Sequence, residues 1–140
     1  MTALGFTGTR YGMTEDQRLA VRRLVALHLT TSAHHGDCIG ADAQFHALCR
    51  ELPTSFVVVH PPLNEQYRAF CAGDEHRAPL PYMRRNARIV AESDVMIAAP
   101  FEAEEQERGG TWRTVGLARK AGRPLFIVWP SGAVVEERVA

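Results

Sequence analysis

Three glycine-bearing turns carry most of the chemistry open to this chain. The last of them, Gly109-Gly110-Thr111, follows an apolar run that ends at Pro100 and opens a helical stretch. Such a turn exposes backbone N–H groups at the positive end of a helix dipole, roughly half an elementary charge, where anions bind. Gly109 and Gly110 let a phosphate reach the backbone, and Thr111 adds a hydroxyl. Trp112 behind them can stack on a base, although an indole in a first helical turn is more often a packing anchor.

The second turn reads HHGDCIGAD over residues 34–42. Gly36 and Gly40 bracket the start of a helix, so N–H groups near Ile39–Ala41 are expected to form an anion nest. Asp37 either caps that helix or hydrogen-bonds a ribose hydroxyl. Asp42 lies in the first turn, where it complements the dipole or faces a ligand. His34 and His35 point to opposite faces of a strand. Without HxxxH spacing or a nearby carboxylate, and with His28, His46, His60 and His76 scattered, no metal site is expected. The first turn, GFTGTRYG at residues 5–12, offers Gly8 for close approach, the Thr9 hydroxyl and the Arg10 fork. A tight turn with a surface arginine accounts for it equally well. Neither GxGxxG nor GxxxxGK[ST] occurs in the chain.

Arg84, Arg85 and Arg88 stud a helix just before the run DVMIAAP. Three arginines on one helix can be a solvated face, but Asn86 after Arg85 suits a ligand-facing role. Glu102, Glu104, Glu105 and Glu107 read as a solvated loop or as a lid over the Gly109 turn with a carboxylate for general-base work.

The elements that must position these residues alternate. Residues 3–7 read as a strand; Thr14-x-x-Gln17 is a capping box before a helix of about 15 residues with Val21, Leu24, Val25 and His28 inward. A brief strand at 32–36 precedes a helix over 40–52 carrying Ala41, Phe45, Leu48, Cys49 and Leu52 inward, and SFVVVH at 55–60 is a buried strand. Residues 63–80 carry little pattern beyond a short helix near Glu65–Cys71. The helix over 82–92 is expected to face inward with Met83, Ala87, Val90 and Ala91. A strand from Asp94, a helix from the GGT turn to Lys120 with Gly122 beyond it, and the strand PLFIVW follow, leaving residues 132–140 as an edge strand or a frayed end. The alternation implies an α/β fold, a three-layer Rossmann-like parallel sheet with helices on both faces, with ligands at the carboxyl ends of the strands.

The chain has 140 residues, one domain's worth, with 46% apolar and 23% charged residues. Sixteen basic side chains balance sixteen acidic ones, so bulk charge gives no attraction to nucleic acid or an anionic membrane. No apolar run nears the roughly 20 residues needed to span a bilayer, and no secretory pattern opens the chain, so a cytoplasmic location is expected. Three cysteines without CxxC spacing argue against a disulfide framework or a zinc knuckle.

In order and combination, GTR at 8–10, HHGDCIGAD, MRRN, SDVMIAAP and GGTWRTVGLARKAGRPLFIV resemble the SLOG superfamily of Rossmann-like nucleotide-binding proteins. That superfamily includes the Lonely-guy phosphoribohydrolases and DNA-processing protein A, and the pattern is most similar to its small YspA/YpsA-like members. The resemblance covers nearly all of residues 1–140 as one nucleotide-binding domain and implies a phosphate on Gly109, Gly110 and Thr111, helped by Gly36 and Gly40. It implies Arg10 and Arg85 on phosphate or sugar, Asp37 or Asn86 on the ribose, and a site edge formed by Gly8, Thr9, Asp42 and Pro100. In the Lonely-guy motif a catalytic glutamate falls where this chain has Thr114, which cannot exchange a proton as a carboxylate does. Ligand binding or sensing is therefore the leading expectation. Nucleotide N-glycosidase activity requires Glu105, Glu107 or Asp37 to substitute. Single-stranded DNA binding is least expected, given zero net charge and no aromatic–basic surface pattern. No resident cofactor or metal is expected, and homo-oligomerisation is implied only by relatives that pair through helices.

Overall fold

The β-branched runs become strands because they are buried on both faces, and the amphipathic stretches between them become the helices that bury them. The computed structural model describes residues 2–28, 31–53 and 55–138. In chain order the elements are β1 (Leu4–Gly8), α1 (Glu15–His28), β2 (Ala33–His35), α2 (Ala41–Arg50), β3 (Val57–Val59), β4 (Glu75–His76), α3 (Tyr82–Glu92), β5 (Val95–Ala99), α4 (Gly110–Lys120), β6 (Leu125–Val128) and β7 (Val134–Glu137). They form one seven-stranded sheet in the order β4-β3-β2-β1-β5-β6-β7. All pairings are parallel except β6 with β7.

Helices α1 and α2 cover one face, where Val21, Leu24, Phe45 and Leu48 pack with Phe6, Ile97 and Phe126. Helices α3 and α4 cover the other, where Ile89, Val90, Trp112 and Val115 pack with Met96, Leu125 and Ile127. Each such side chain contributes about 1.5–3 kcal/mol on full burial. The three-layer Rossmann-like architecture expected from the alternation is the observed one.

The capping box forms reciprocally: Thr14 Oγ1 accepts from Gln17 N at 3.0 Å, and Gln17 Oε1 accepts from Thr14 N at 3.2 Å. The same buried glutamine donates through Nε2 to Pro100 O and Val128 O, at 2.9 and 2.8 Å, tying α1 to the ends of β5 and β6.

Three local expectations change, and a fourth, the C-terminal stretch, resolves to its edge-strand alternative. The helix near Glu65–Cys71 shrinks to a 3-10 turn, Glu65–Tyr67, capped by Asn64 Oδ1 accepting from Gln66 N. Glu75–His76 adds an edge strand whose two exposed polar residues carry no sequence pattern. The C-terminal stretch is ordered as β7, antiparallel on β6. The largest change is in α3, which buries Arg85, Asn86, Ile89 and Val90 and leaves Met83, Ala87 and Ala91 exposed. Its inward stripe starts with two polar residues because the first half of the helix faces a cleft and not the apolar core. Among the described residues no helix is long and apolar enough to cross a membrane.

Candidate functional site

The chain leads from β1 outward to β2 and β3, then returns to the other side of β1 with β5. A cleft of about 540 Å³ opens at the carboxyl ends of the strands around this reversal, where open α/β sheets bind ligands. Gly8 at the end of β1 with Thr9 and Arg10 just after it, Gly36 and Asp42 from the second turn, Arg85 and Asn86 from α3, and Gly109, Gly110 and Thr111 at the start of α4 all line it. Ten of the residues singled out by type and spacing thus come together. Asp37, Gly40 and Pro100 do not line the cleft, and each has a structural task instead.

Gly40 holds the first turn against the second. Its φ is +87°, and a Cβ there would run into the Arg10 backbone. The anion nest expected at Ile39–Ala41 is not open, because Ile39 N donates to Tyr67 O at 2.8 Å and Ala41 N to Thr9 O at 2.9 Å. Those N–H groups hold the loops together and are spent. Asp37 is fully buried with φ +57°, and its carboxylate accepts from Arg68 Nε and Cys71 N, both at 2.8 Å. It fixes the loop after Glu65 and is turned away from any ribose in the cleft. The Pro100 carbonyl accepts from Gln17, as described above.

Arg85 is the most unusual group in the wall. Only 6% exposed, it donates through Nε to Asn86 Oδ1 at 2.7 Å and through Nη1 to the carbonyls of Gly36 and His60. Nη2 has only the Cys38 sulfur, at 3.9 Å. Among the described residues no carboxylate is hydrogen-bonded or ion-paired to it. Gly36 is glycine for this seat, since a Cβ would lie 2.7 Å from Arg85 Cζ. Asn86 has spent its oxygen on Arg85, and among the described residues its amide N–H groups have no hydrogen-bond partner. Asp42, 6% exposed, accepts from Cys38 N at 3.2 Å. Burial pushes its carboxyl up to about 6 against the opposing pull of Arg85. Burial likewise pushes the Cys38 thiol up to about 11, leaving it un-ionised and a poor nucleophile.

Across the cleft, α4 begins at Gly110 with no side chain capping its N–H groups, and a Cβ on Gly109 or Gly110 would meet nothing within 4 Å. Thr114 is fully buried and donates to Gly110 O at 2.9 Å, so it takes no part in chemistry. Trp112 packs against Trp129 and donates to Glu102 Oε1 at 2.9 Å, the anchor role and not a stacking one. Neither Glu105 nor Glu107 lines the cleft, and Glu105 is held by Arg119 near the far end of α4. Of the three carboxylates considered as a displaced acid, none is in place. Asp42 and Glu102 are the carboxylates that line the cleft.

The rim contains residues the sequence reading passed over: Tyr11, Tyr67, Tyr82 and Phe101. Tyr11 meets Phe101 edge-on at 5.3 Å, and the Arg10 guanidinium lies 4.3 Å from the centre of the Tyr67 ring. Arg68 covers Phe70 in the same way at 4.4 Å. Tyr11 sits inside the first turn, whereas Tyr67, Tyr82 and Phe101 lie outside all three turns, so the turn pattern does not mark them.

The histidines are not scattered in space. His34 Nδ1 lies 2.8 Å from His60 Nε2, with Glu92 beside them; His35 Nε2 lies 2.9 Å from His46 Nδ1, with Cys71 beside them. The opposite facing of His34 and His35 holds, and each finds partners on its own face. Burial pushes His35 well below the usual imidazole range and His60 down to about 3, and lowers His34 as well.

No family model matches the sequence, and no curated protein matches it. Solved structures do. The molybdenum cofactor binding protein of the phototrophic bacterium Rippkaea orientalis superposes with a TM-score of 0.69 at 21% identity, covering 91% of this chain and 76% of that one. DNA processing protein A of Helicobacter pylori, a single-stranded DNA binding protein, gives a TM-score of 0.57 at 18% identity, covering 89% of this chain and 64% of that one. The chain shares the three-layer α/β fold of these two proteins. At these identities the likeness is one of fold. The two neighbours are named for binding a cofactor and DNA, so the expectation against nucleic acid has no support here. Folding also brings Arg10 onto Tyr67 and Tyr11 against Phe101, aromatic–basic and aromatic contacts between residues far apart in sequence.

Proposed function

We propose that this protein binds a nucleotide or nucleotide-derived ligand in the cleft between β1 and β5. The observation that carries this reading is Arg85, a guanidinium withdrawn from water with no carboxylate bonded to it and an Nη2 edge in the cleft wall held only by the long Cys38 sulfur contact. Burying a charge without a bonded counter-ion is costly, Asp42 compensates it only at a distance, and an anionic ligand offsets the rest. The uncapped start of α4 gives a second, independent attraction for the same anion.

In this reading the phosphate rests on the N–H groups of Gly110 and Thr111, with Gly109 keeping the approach open and Arg10 reaching in from the rim. The Asn86 amide donates to a sugar hydroxyl, and the base stacks among Tyr11, Tyr67 and Phe101. Binding without turnover is favoured because Thr114 is sealed in the core and neither Glu105 nor Glu107 reaches the cleft.

The test is a thermal-shift screen of the purified chain against nucleoside phosphates, cyclic nucleotides, NAD, ADP-ribose and a short single-stranded oligonucleotide. Hits are then analysed for released base. A ligand at a hundred times its dissociation constant adds about 2.7 kcal/mol. A shift lost in Arg85→Met, with no free base, supports the reading. Base release identifies an enzyme, a shift with the oligonucleotide alone identifies a strand-binding rim, and no shift from any of them overturns the proposal.

A further inference from the structure

Two clusters of metal-ligating side chains lie on either side of β2, and their hydrogen bonding separates them. In the first, Asp37 N donates to His35 Nδ1 at 2.9 Å, which puts the ring proton on Nε2 and directs it to His46 Nδ1. The third member, Cys71, has its thiol pushed up to about 12 by burial and by Asp37. That cluster is a satisfied hydrogen-bond chain beside a protonated thiol and has no lone pair ready for a cation.

The second cluster is not satisfied. His34 is 3% and His60 1% exposed, joined through Nδ1 and Nε2. Ser32 Oγ takes the other nitrogen of His34 at 2.8 Å. Whichever tautomers are chosen, His60 Nδ1 is left buried with no partner. The orphan Nδ1 faces away from His34, so the nitrogens open to a cation are His34 Nδ1 and His60 Nε2, where an ion displaces the proton the two share. Glu92 supplies the carboxylate: its Oε1 accepts from Arg77 Nε and Nη2, at 3.1 and 2.7 Å, while Oε2 has only Arg88 Nε at 4.0 Å. The ligand atoms of His34, His60 and Glu92 all lie within 4.8 Å of one another.

We propose that His34, His60 and Glu92 form a binding site for a divalent transition-metal ion. Two neutral imidazoles and one carboxylate select Zn²⁺ or its first-row neighbours over Mg²⁺ and Ca²⁺, which require oxygen ligands. Ser32 on the far nitrogen of His34 and Arg77 on the far oxygen of Glu92 are the orienting contacts that ligands of this type use. The partly exposed Glu92 gives the ion a way in, whereas His34 and His60 are closed off. None of the three ligands lines the cleft, so the site stands apart from the nucleotide reading and does not depend on it.

The experiment is equilibrium dialysis of the full chain against Zn²⁺ with metal analysis, and X-ray absorption spectroscopy on the loaded wild-type protein. One Zn²⁺ per chain is expected, with a shell of two imidazoles and oxygen. His60→Gln and Glu92→Gln should each weaken binding at least about tenfold, and Ser32→Ala roughly 10- to 100-fold as a lost orienting contact. His46→Gln should leave it unchanged. Folded wild-type chain that retains no Zn²⁺ overturns the proposal, as does a sulfur in the shell or binding lost only in His46→Gln. The absorption spectrum of the wild type decides even where a substituted chain fails to fold.

Discussion

The Asp37 carboxylate and the Arg68 guanidinium lie 2.8 Å apart, with the aspartate wholly enclosed and the arginine side chain 17% exposed. This pair, with Cys71 N on the other carboxylate oxygen, pins the loop that carries Tyr67 into the cleft rim. Asp37→Asn leaves Arg68 with only the exposed Glu65 carboxylate, 4.0 Å away, as a counter-charge. Removing one partner of a buried pair costs about 3–5 kcal/mol, reduced here by the exposed edge of Arg68. Urea unfolding at pH 7 should register the loss, and amide exchange should quicken over residues 65–71. A change below about 1 kcal/mol, in the range of exposed pairs, would refute the latch.

Two glycines should separate folding from binding. Gly40 has φ +87° and no room for a Cβ, so Gly40→Ala is expected to cost more than about 2 kcal/mol of stability. Gly110 has open space around it and begins α4. Gly110→Asp should keep or slightly raise stability, because a carboxylate suits a helix N-terminus. The same charge repels a phosphate, so any nucleotide-induced thermal shift should vanish. Unfolding curves and the ligand screen on both variants check the pair; equal stability of the two would contradict it.

Gln17 is expected to matter more than a capping residue ordinarily does. Gln17→Leu removes the donor to both the Pro100 and Val128 carbonyls and opens the capping box. Each buried carbonyl left unpaired costs about 1–3 kcal/mol. Thr14→Ala, which loses only the cap and a surface bond to Pro130 O, should cost about 1 kcal/mol. Thermal denaturation of the two variants should rank Gln17→Leu clearly below Thr14→Ala.

How far the sequence could be read depended on whether a residue's partner was near it. Val57–Val59, the Thr14–Gln17 box and Gly122 at φ +71° announce a strand, a helix start and a helix stop through local chemistry. Asp37 was open to a ribose reading because Arg68 comes 31 residues later. The His34–His60 contact spans 26 residues, and only the parallel pairing of β2 with β3 brings it about. In α3 the buried stripe holds Arg85 and Asn86, which an apolar periodicity rule assigns to solvent; the ligand-facing role given to Asn86 came from its place before β5. Long-range polar contacts, together with the short edge strand Glu75–His76, were the part hidden from pattern.

Asp42 should leave a signature in the pH dependence of stability. Its carboxyl is raised from 3.8 to about 6 by burial, so the folded state binds this proton more tightly than the unfolded chain. The resulting stabilisation is present in full below about pH 4 and is lost as pH rises through about 6; its size is on the order of 3 kcal/mol. The buried histidines act in the opposite direction, since they are held neutral and the unfolded chain takes up their protons first as pH falls. Comparing Asp42→Asn with the wild type cancels the histidine contribution. The variant should be the more stable protein at pH 8, and its advantage should shrink by roughly 1 kcal/mol at pH 5. Urea unfolding of both chains at the two pH values makes the measurement. A difference that does not change with pH would mean that Asp42 is solvated in the folded protein, and the cleft wall would then lack the dry carboxylate that sets it apart.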